Sequence, residues 1–144
     1  MPNESMRWFL QTTASQYMTA KVHTLTRGVA ISELETMFET HDFNAFPVVE
    51  SSKVLGIVTK FDLLKIFAFT TDQLFPHYDE LMKRTVAEVM TEAVVHVDPS
   101  APLTRVLQLM VNLKARSFPV LDRDLQLLGM ISRGDVMRAL REGV

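Results

Sequence analysis

The sequence predicts an α+β fold: two β-α-β-β-α repeats packed through their sheets with pseudo-two-fold symmetry. Three observations predict it. The chain repeats itself, each copy alternates short β-branched runs with a stretch of helical spacing, and each copy holds paired apolar runs joined by a polar turn. Placing Met18 on Met90, an offset of 72, aligns "YMTAKVHTL" with "VMTEAVVHV" and "NAFPVVE" with "RSFPVLD" without a gap. After the second "FPV" the offset grows by one, so that Gly56 meets Gly129 and Asp62 meets Asp135. One inserted residue is what a hairpin loop tolerates, here "ESSK" against "DRDLQ". A half of about 55 residues is marginal alone, so the two copies should share their burial.

The elements are read in chain order. Residues 1–13 are an N-terminal extension, 14–70 the first repeat, 71–85 an inter-repeat linker with a helix, and 86–141 the second repeat. "VHTL" and "AVVHV" read as short strands. Ile31, Leu34, Met37, Phe38 and His41 in one copy, and Leu103, Val106, Leu107, Met110 and Leu113 in the other, recur at helical spacing. "FPVVE" with "VLGIVTK", and "FPVLD" with "LLGMIS", read as hairpins. A helix closes each copy, beginning near Asp62 and near Asp135. Between the copies Phe67, Phe69, Phe75 and Tyr78 make an aromatic stretch expected to pack over the repeat junction, with Pro76 ending or kinking a helix.

Composition excludes several functions. Of the 144 residues 47% are apolar, enough for a core. A formal charge of −2 and a pI near 6.1 give no cationic field for nucleic acid or an anionic membrane. Cysteine is absent, so disulfides and thiolate chemistry are excluded, in keeping with a reducing compartment. "MPNESMRWFLQ" lacks the apolar run of a signal peptide, and "FAF" and "LQLLGMI" are too short to span a bilayer. A soluble, cytoplasmic protein is expected. His23, His41, His77 and His96 have no metal-ligand spacing, and neither a phosphate loop nor a nucleophile elbow occurs. No catalytic residue and no metal site are assigned.

"TKFD" before "LLKIF" and "SRGD" before "VMRAL" each place a hydroxyl three residues ahead of a carboxylate at a helix start, the pattern of a capping box. A carboxylate also presents two acceptor oxygens to the neighbouring hydroxyls of a ribose, so capping and ligation use one geometry. Both readings stay open for Asp62 and Asp135.

The ordered series "YMT", "NAFPVVE", "LGIVTKFDLL" and its second copy, "VMT", "RSFPVLD", "LGMISRGDVM", resembles a tandem pair of cystathionine-beta-synthase (CBS) domains, a Bateman module, over about residues 14–141. The resemblance implies a regulatory module that binds AMP, ADP, ATP or S-adenosylmethionine in clefts between the paired repeats. It also implies a homodimer, attached to or acting on an enzyme or transporter whose identity is open. The adenine nucleotide is then a regulatory ligand rather than a cofactor, and magnesium would arrive only with ATP.

By that resemblance Thr59 and Ser132 lie near sugar and phosphate, with Lys60 and Arg133 beside them. Arg116 stands where the family often has a basic phosphate contact, and the first copy has Asn44 there, so the two clefts should differ. Gly134 replaces Phe61, removing a ring beside the loop. Adenine walls implied in the same way are Val22, His23, Val94 and Val95, then Ala45, Phe46 and Pro47 with Ser117, Phe118 and Pro119. The helix "LTRVLQLMVNL" is apolar around much of its circumference, which points to a two-fold partner or to cover by "MRWFL" or the aromatic linker. The competing reading is a ligand-free dimerisation or docking module with vestigial clefts.

Overall fold

The computed structural model describes residues 4–68, 78–92 and 94–143. In chain order the elements are α1 (Glu4–Gln11), α2 (Ala14–Tyr17), α3 (Ile31–Thr40), β1 (Ala45–Glu50), β2 (Lys53–Thr59), α4 (Lys60–Leu63), α5 (Lys65–Ala68), α6 (Tyr78–Met82), α7 (Leu103–Leu113), β3 (Ser117–Leu121), β4 (Leu127–Ser132) and α8 (Arg133–Glu142). The mixed helix and sheet content is that of the expected α+β class. Phe69, Phe75, Pro76 and His77 of the aromatic stretch lie outside the described residues.

Two compact units emerge, His23–Val94 and Met1–Val22 with Val95–Val144. In the first, β1 and β2 form an antiparallel hairpin whose register pairs Glu50 with Lys53. The two-residue turn sets Ser51 and Ser52 at φ 52° and 67°, the left-handed pair that matches strand twist in a tight hairpin. In the second, β3 and β4 pair likewise, and their longer loop is held by the Asp122 carboxylate, which accepts from the backbone N–H of Asp124 (2.8 Å) and Gln126 (3.0 Å). The inserted residue therefore converts a tight turn into an aspartate-organised loop. Both hairpins carry an irregularity at the same place, after Val48 and after Val120.

The expected strands "VHTL" and "AVVHV" contract to one residue each. Leu25 bridges Val48 in parallel and Val97 bridges Val120. Leu25 donates its N–H to Pro47 (3.0 Å) and accepts from Val49 (2.8 Å); Val97 does the same with Pro119 (3.0 Å) and Leu121 (3.0 Å). A turn at Arg27–Gly28 and the Asp98–Pro99 step then carry the chain away before a second pair can form. β-Branching predicted extended backbone correctly, but ladder length is set by the turn that ends each run.

Each unit is closed by the segment ahead of a Met-Thr pair that lies far away in sequence. Ala30 bridges Thr85 and Ile57 bridges Thr91 in one unit; Pro102 bridges Thr13 and Met130 bridges Thr19 in the other. Ile31 at the start of α3 donates to Arg84 (2.8 Å), and Leu103 at the start of α7 donates to Thr12 (2.9 Å), so these segments accept helix-end N–H groups that Ala30 and Pro102 cannot cap with side chains. The close approach requires glycine. A Cβ at Gly56 would lie 2.8 Å from the Thr91 carbonyl oxygen, and one at Gly129 would lie 2.7 Å from that of Thr19.

The cores repeat as well. Ile31, Leu34, Phe46, Val48, Val58, Ile66, Val86 and Val89 are buried in one unit, and Phe9, Leu103, Val106, Phe118, Val120, Ile131 and Val136 in the other. The helical spacing of α3 and α7 was read correctly, since Ile31, Leu34 and Phe38, and Leu103, Val106 and Met110, face these cores. Part of the apolar excess of α7 is covered by the N-terminal extension, whose Trp8 and Phe9 join its cluster. Val111 and Leu113 stay exposed at 64% and 51%.

Candidate functional site

Sequence-local chemistry builds the two motif loops. β2 ends at Thr59 and β4 at Ser132, both extended (φ −109° and −111°), and the next residue begins a helix. The hydroxyl of Thr59 accepts from the Asp62 N–H (3.1 Å) while Asp62 Oδ2 accepts from the Thr59 N–H (2.9 Å). Ser132 and Asp135 repeat this at 3.2 and 2.9 Å. Both capping boxes are complete.

The other carboxylate oxygen differs between the copies. Asp62 Oδ1 lies 2.6 Å from Lys65 Nζ and accepts from Thr91 Oγ1 at 3.4 Å, and the Asp62 side chain is only 5% exposed. Asp135 Oδ1 has Arg138 at 3.7 Å, and its side chain is 13% exposed. Sequence reasoning missed Lys65, Arg138 and Thr91. The first two carried a signal, a base three residues after the aspartate in both "DLLK" and "DVMR", while Thr91 is brought in only by the fold. Among the described residues no buried side-chain nitrogen or oxygen lacks a partner. Asp62 has partners on both oxygens, whereas Asp135 Oδ1 meets Arg138 only at ion-pair distance.

The second unit carries a charged cleft. A cleft of about 740 Å³ is walled by Leu107, Met110 and Val111 of α7 and by Gly134, Val136 and Met137 of α8, and is rimmed by Lys114, Arg116 and Arg133. Lys114 ends α7 in the left-handed conformation (φ 53°), which turns the chain directly towards Arg116. Arg133 donates its backbone N–H to the Arg116 carbonyl (2.9 Å), which holds the two residues next to each other on the cleft. Lys114 is a further residue that the sequence reading did not single out. Arg116 and Arg133 are thus brought together on one cleft; the lining surrounds Asp135 in sequence, through Gly134 and Val136, without including it.

The remaining candidates are scattered over both units. Lys60 is exposed and Asn44 half-buried in the unit of Asp62. Phe46 and Phe118 are core residues at 1% and 2% exposure; Ala45, Pro47 and Pro119 are buried, and Ser117 is half-buried. The carbonyls of Pro47 and Pro119 already accept from Leu25 and Val97. Val22 and Val94 are half-buried and Val95 is exposed. His23 is exposed and lies tilted against His41, with ring centroids 4.0 Å apart, beside Phe43. Among the described residues no group of three or more His, Cys, Asp or Glu could hold a metal ion. No helix there is long and apolar enough to cross a membrane.

Two tyrosines anchor helix ends. Tyr17 donates its hydroxyl to Glu142 and lies under the Arg138 guanidinium, 5.1 Å from the ring centre. The carboxylate acceptor raises the Tyr17 pKa above the ordinary phenol value. Tyr78 donates to Glu35 at 2.9 Å and is raised by the same cause. Asp98 is lowered because the hydroxyl and backbone N–H of Ser100 both donate to it.

The sequence profile of the CBS domain matches residues 14–68 and 86–142. The chain is 28% identical over 91% of its length to a homoserine O-acetyltransferase of Methanohalobium evestigatum, covering 24% of that protein. It is 27% identical over 88% of its length to the chloroplastic CBS domain-containing protein CBSX1 of Arabidopsis thaliana, covering 63% of it. The chain thus spans less than two thirds of the length of these relatives. The crystal structure of CBSX2 in complex with AMP superposes with a TM-score of 0.75 at 26% identity, over 90% of this chain and 96% of that one.

Proposed function

Because the chain belongs to the CBS domain family, we propose that it is a regulatory module that senses adenosyl compounds such as AMP, ADP, ATP or S-adenosylmethionine and performs no chemistry of its own. The observation that carries this reading is the convergence of Lys114, Arg116 and Arg133 on an apolar cleft beside the Asp135 loop. An adenosyl phosphate needs each part: cations for the phosphate, a carboxylate for the ribose diol and apolar surface against the ring. The AMP complex of CBSX2 supports the ligand class. In this reading Asp135 holds the sugar, Arg116 and Arg133 hold the phosphate, and the unit with Asn44 in place of Arg116 binds anionic ligands more weakly. The module works as a dimer through apolar surface of α7 outside the cleft, such as the exposed Leu113, in the cytoplasm, on an attached or separate enzyme or transporter.

The second reading, a dimerisation module with unused clefts, is favoured by Asp62, whose two oxygens are both taken within the chain. A thermal-shift panel of AMP, ADP, ATP and S-adenosylmethionine separates the two. A ligand at 100 times its Kd stabilises the folded state by about 2.7 kcal/mol, enough for a clear rise in Tm. The sensing reading expects a rise with at least one compound, reduced in Arg116→Gln for the phosphorylated ones. No rise with any of the four would leave the assembly reading alone.

A further inference from the structure

Each of the two carboxylates meets a base that also bonds a backbone carbonyl. Lys65, bonded to Asp62 Oδ1 at 2.6 Å, also donates to the backbone carbonyl of Val89 at 3.4 Å. Arg138, 3.7 Å from Asp135 Oδ1, donates to the carbonyl of Tyr17 at 3.1 Å. Val89 and Tyr17 are equivalent positions, each immediately before a Met-Thr pair. In both units, therefore, one base joins the motif carboxylate to the segment that closes the sheet beyond it, where Thr91 pairs with Ile57 and Thr19 with Met130.

We infer that Lys65 and Arg138 are positioning residues that couple the state of the motif carboxylate to the anchoring of residues 89–91 and 17–19. One oxygen of each aspartate is committed to its capping box, so Oδ1 is the oxygen on which a ribose hydroxyl and the base meet. A hydroxyl donating to Oδ1 withdraws part of the negative charge that holds the base, and the base is then shared less with the carboxylate and more with the carbonyl. Occupancy is thereby read as a change in how firmly the Met-Thr segment is held. The ligand half of this coupling rests on the sensing reading above; the anchoring half does not.

Backbone hydrogen exchange of the full chain tests both halves. The Thr91 and Thr19 amides donate to Ile57 and Met130, each at 2.8 Å, and report the two segments separately. Lys65→Met should speed exchange at residues 89–91 about three- to tenfold and leave 17–19 unchanged, while Arg138→Met should do the reverse. Lys65→Arg and Arg138→Lys should restore most of the protection, which a packing role for the aliphatic stem would not require. Added AMP should change protection of residues 17–19, beside Asp135, in wild type and not in Arg138→Met. Unchanged exchange in both methionine variants would overturn the anchoring. Wild-type exchange insensitive to AMP despite measured AMP binding would overturn the coupling. An absence of AMP binding would count against the sensing reading and leave the anchoring to be decided by the variants alone.

Discussion

Asp62 and Asp135 occupy equivalent positions, cap equivalent turns and meet equivalent bases, yet Asp62 is held on both oxygens, while the residues on either side of Asp135 line a charged cleft. Asp62 keeps Lys65 at 2.6 Å and receives Thr91, whereas Asp135 has Arg138 at 3.7 Å and the Lys114, Arg116 and Arg133 cluster close by in the fold. The two copies keep one frame and differ in the side chains around the motif loops. The divergence lies in a few side chains: Asn44 against Arg116, Phe61 against Gly134, and Lys65 against Arg138. Phe61 is 74% exposed, so its loss at position 134 opens the second loop without removing any core packing.

Equivalence of the two cores can be tested where the effect is largest. Phe46→Ala and Phe118→Ala should each cost about 3–5 kcal/mol in urea unfolding, as buried aromatic residues do. Phe46 should lose about 0.5–1.5 kcal/mol more, because its ring meets Phe38 at 4.9 Å and Phe43 at 5.9 Å. A marginal loss at either site would show that the two units do not depend on their hairpins alike.

The carboxylates come next. Asp62→Asn keeps an oxygen for the cap but removes the charge facing Lys65. The pair is partly buried, with Lys65 itself 36% exposed, so solvent screening reduces the expected cost to about 1–2 kcal/mol. Asp135→Asn should cost less than about 1 kcal/mol, its arginine being farther away and half exposed. Equal losses in urea melts would erase the asymmetry between the two carboxylates.

The smallest effect concerns the tyrosines, two in the whole chain. Tyr17 and Tyr78 each donate to a glutamate, which favours the neutral phenol and raises both pKa values. A raised folded pKa gives stability that is complete below the unfolded phenol's pKa and is lost as pH rises through the folded value. Ultraviolet difference titration should therefore show both phenols ionising above free tyrosine. Tyr17→Phe should leave one such transition, and an ordinary phenol in its place would dissolve the Glu142 contact.

Much of the frame was legible because it is local or periodic. The hairpins arise from apolar runs around short polar turns, the helices α3 and α7 from their spacing, and the capping boxes from a hydroxyl and a carboxylate three residues apart. Asp62 and Asp135 were legible as capping residues for that reason. What was hidden depends on chain closure. Thr91 lies 29 residues beyond Asp62 and reaches it only because the Met-Thr segment pairs with β2. Lys114 escaped notice because its place on the cleft comes from a left-handed helix end, which nothing in "NLKAR" announces. The first strands were overread, since β-branching cannot report how soon the chain turns away.

Isothermal titration of the intact protein and of Asp135→Ala with AMP tests the central claim most directly. The account predicts saturable binding to the wild type and a loss of about 1.5–3 kcal/mol in the variant, roughly tenfold to over a hundredfold in Kd. Asp62→Ala, folded to the same extent, should shift that Kd far less. Equal affinity of wild type and Asp135→Ala would contradict the assignment of the sugar to this carboxylate.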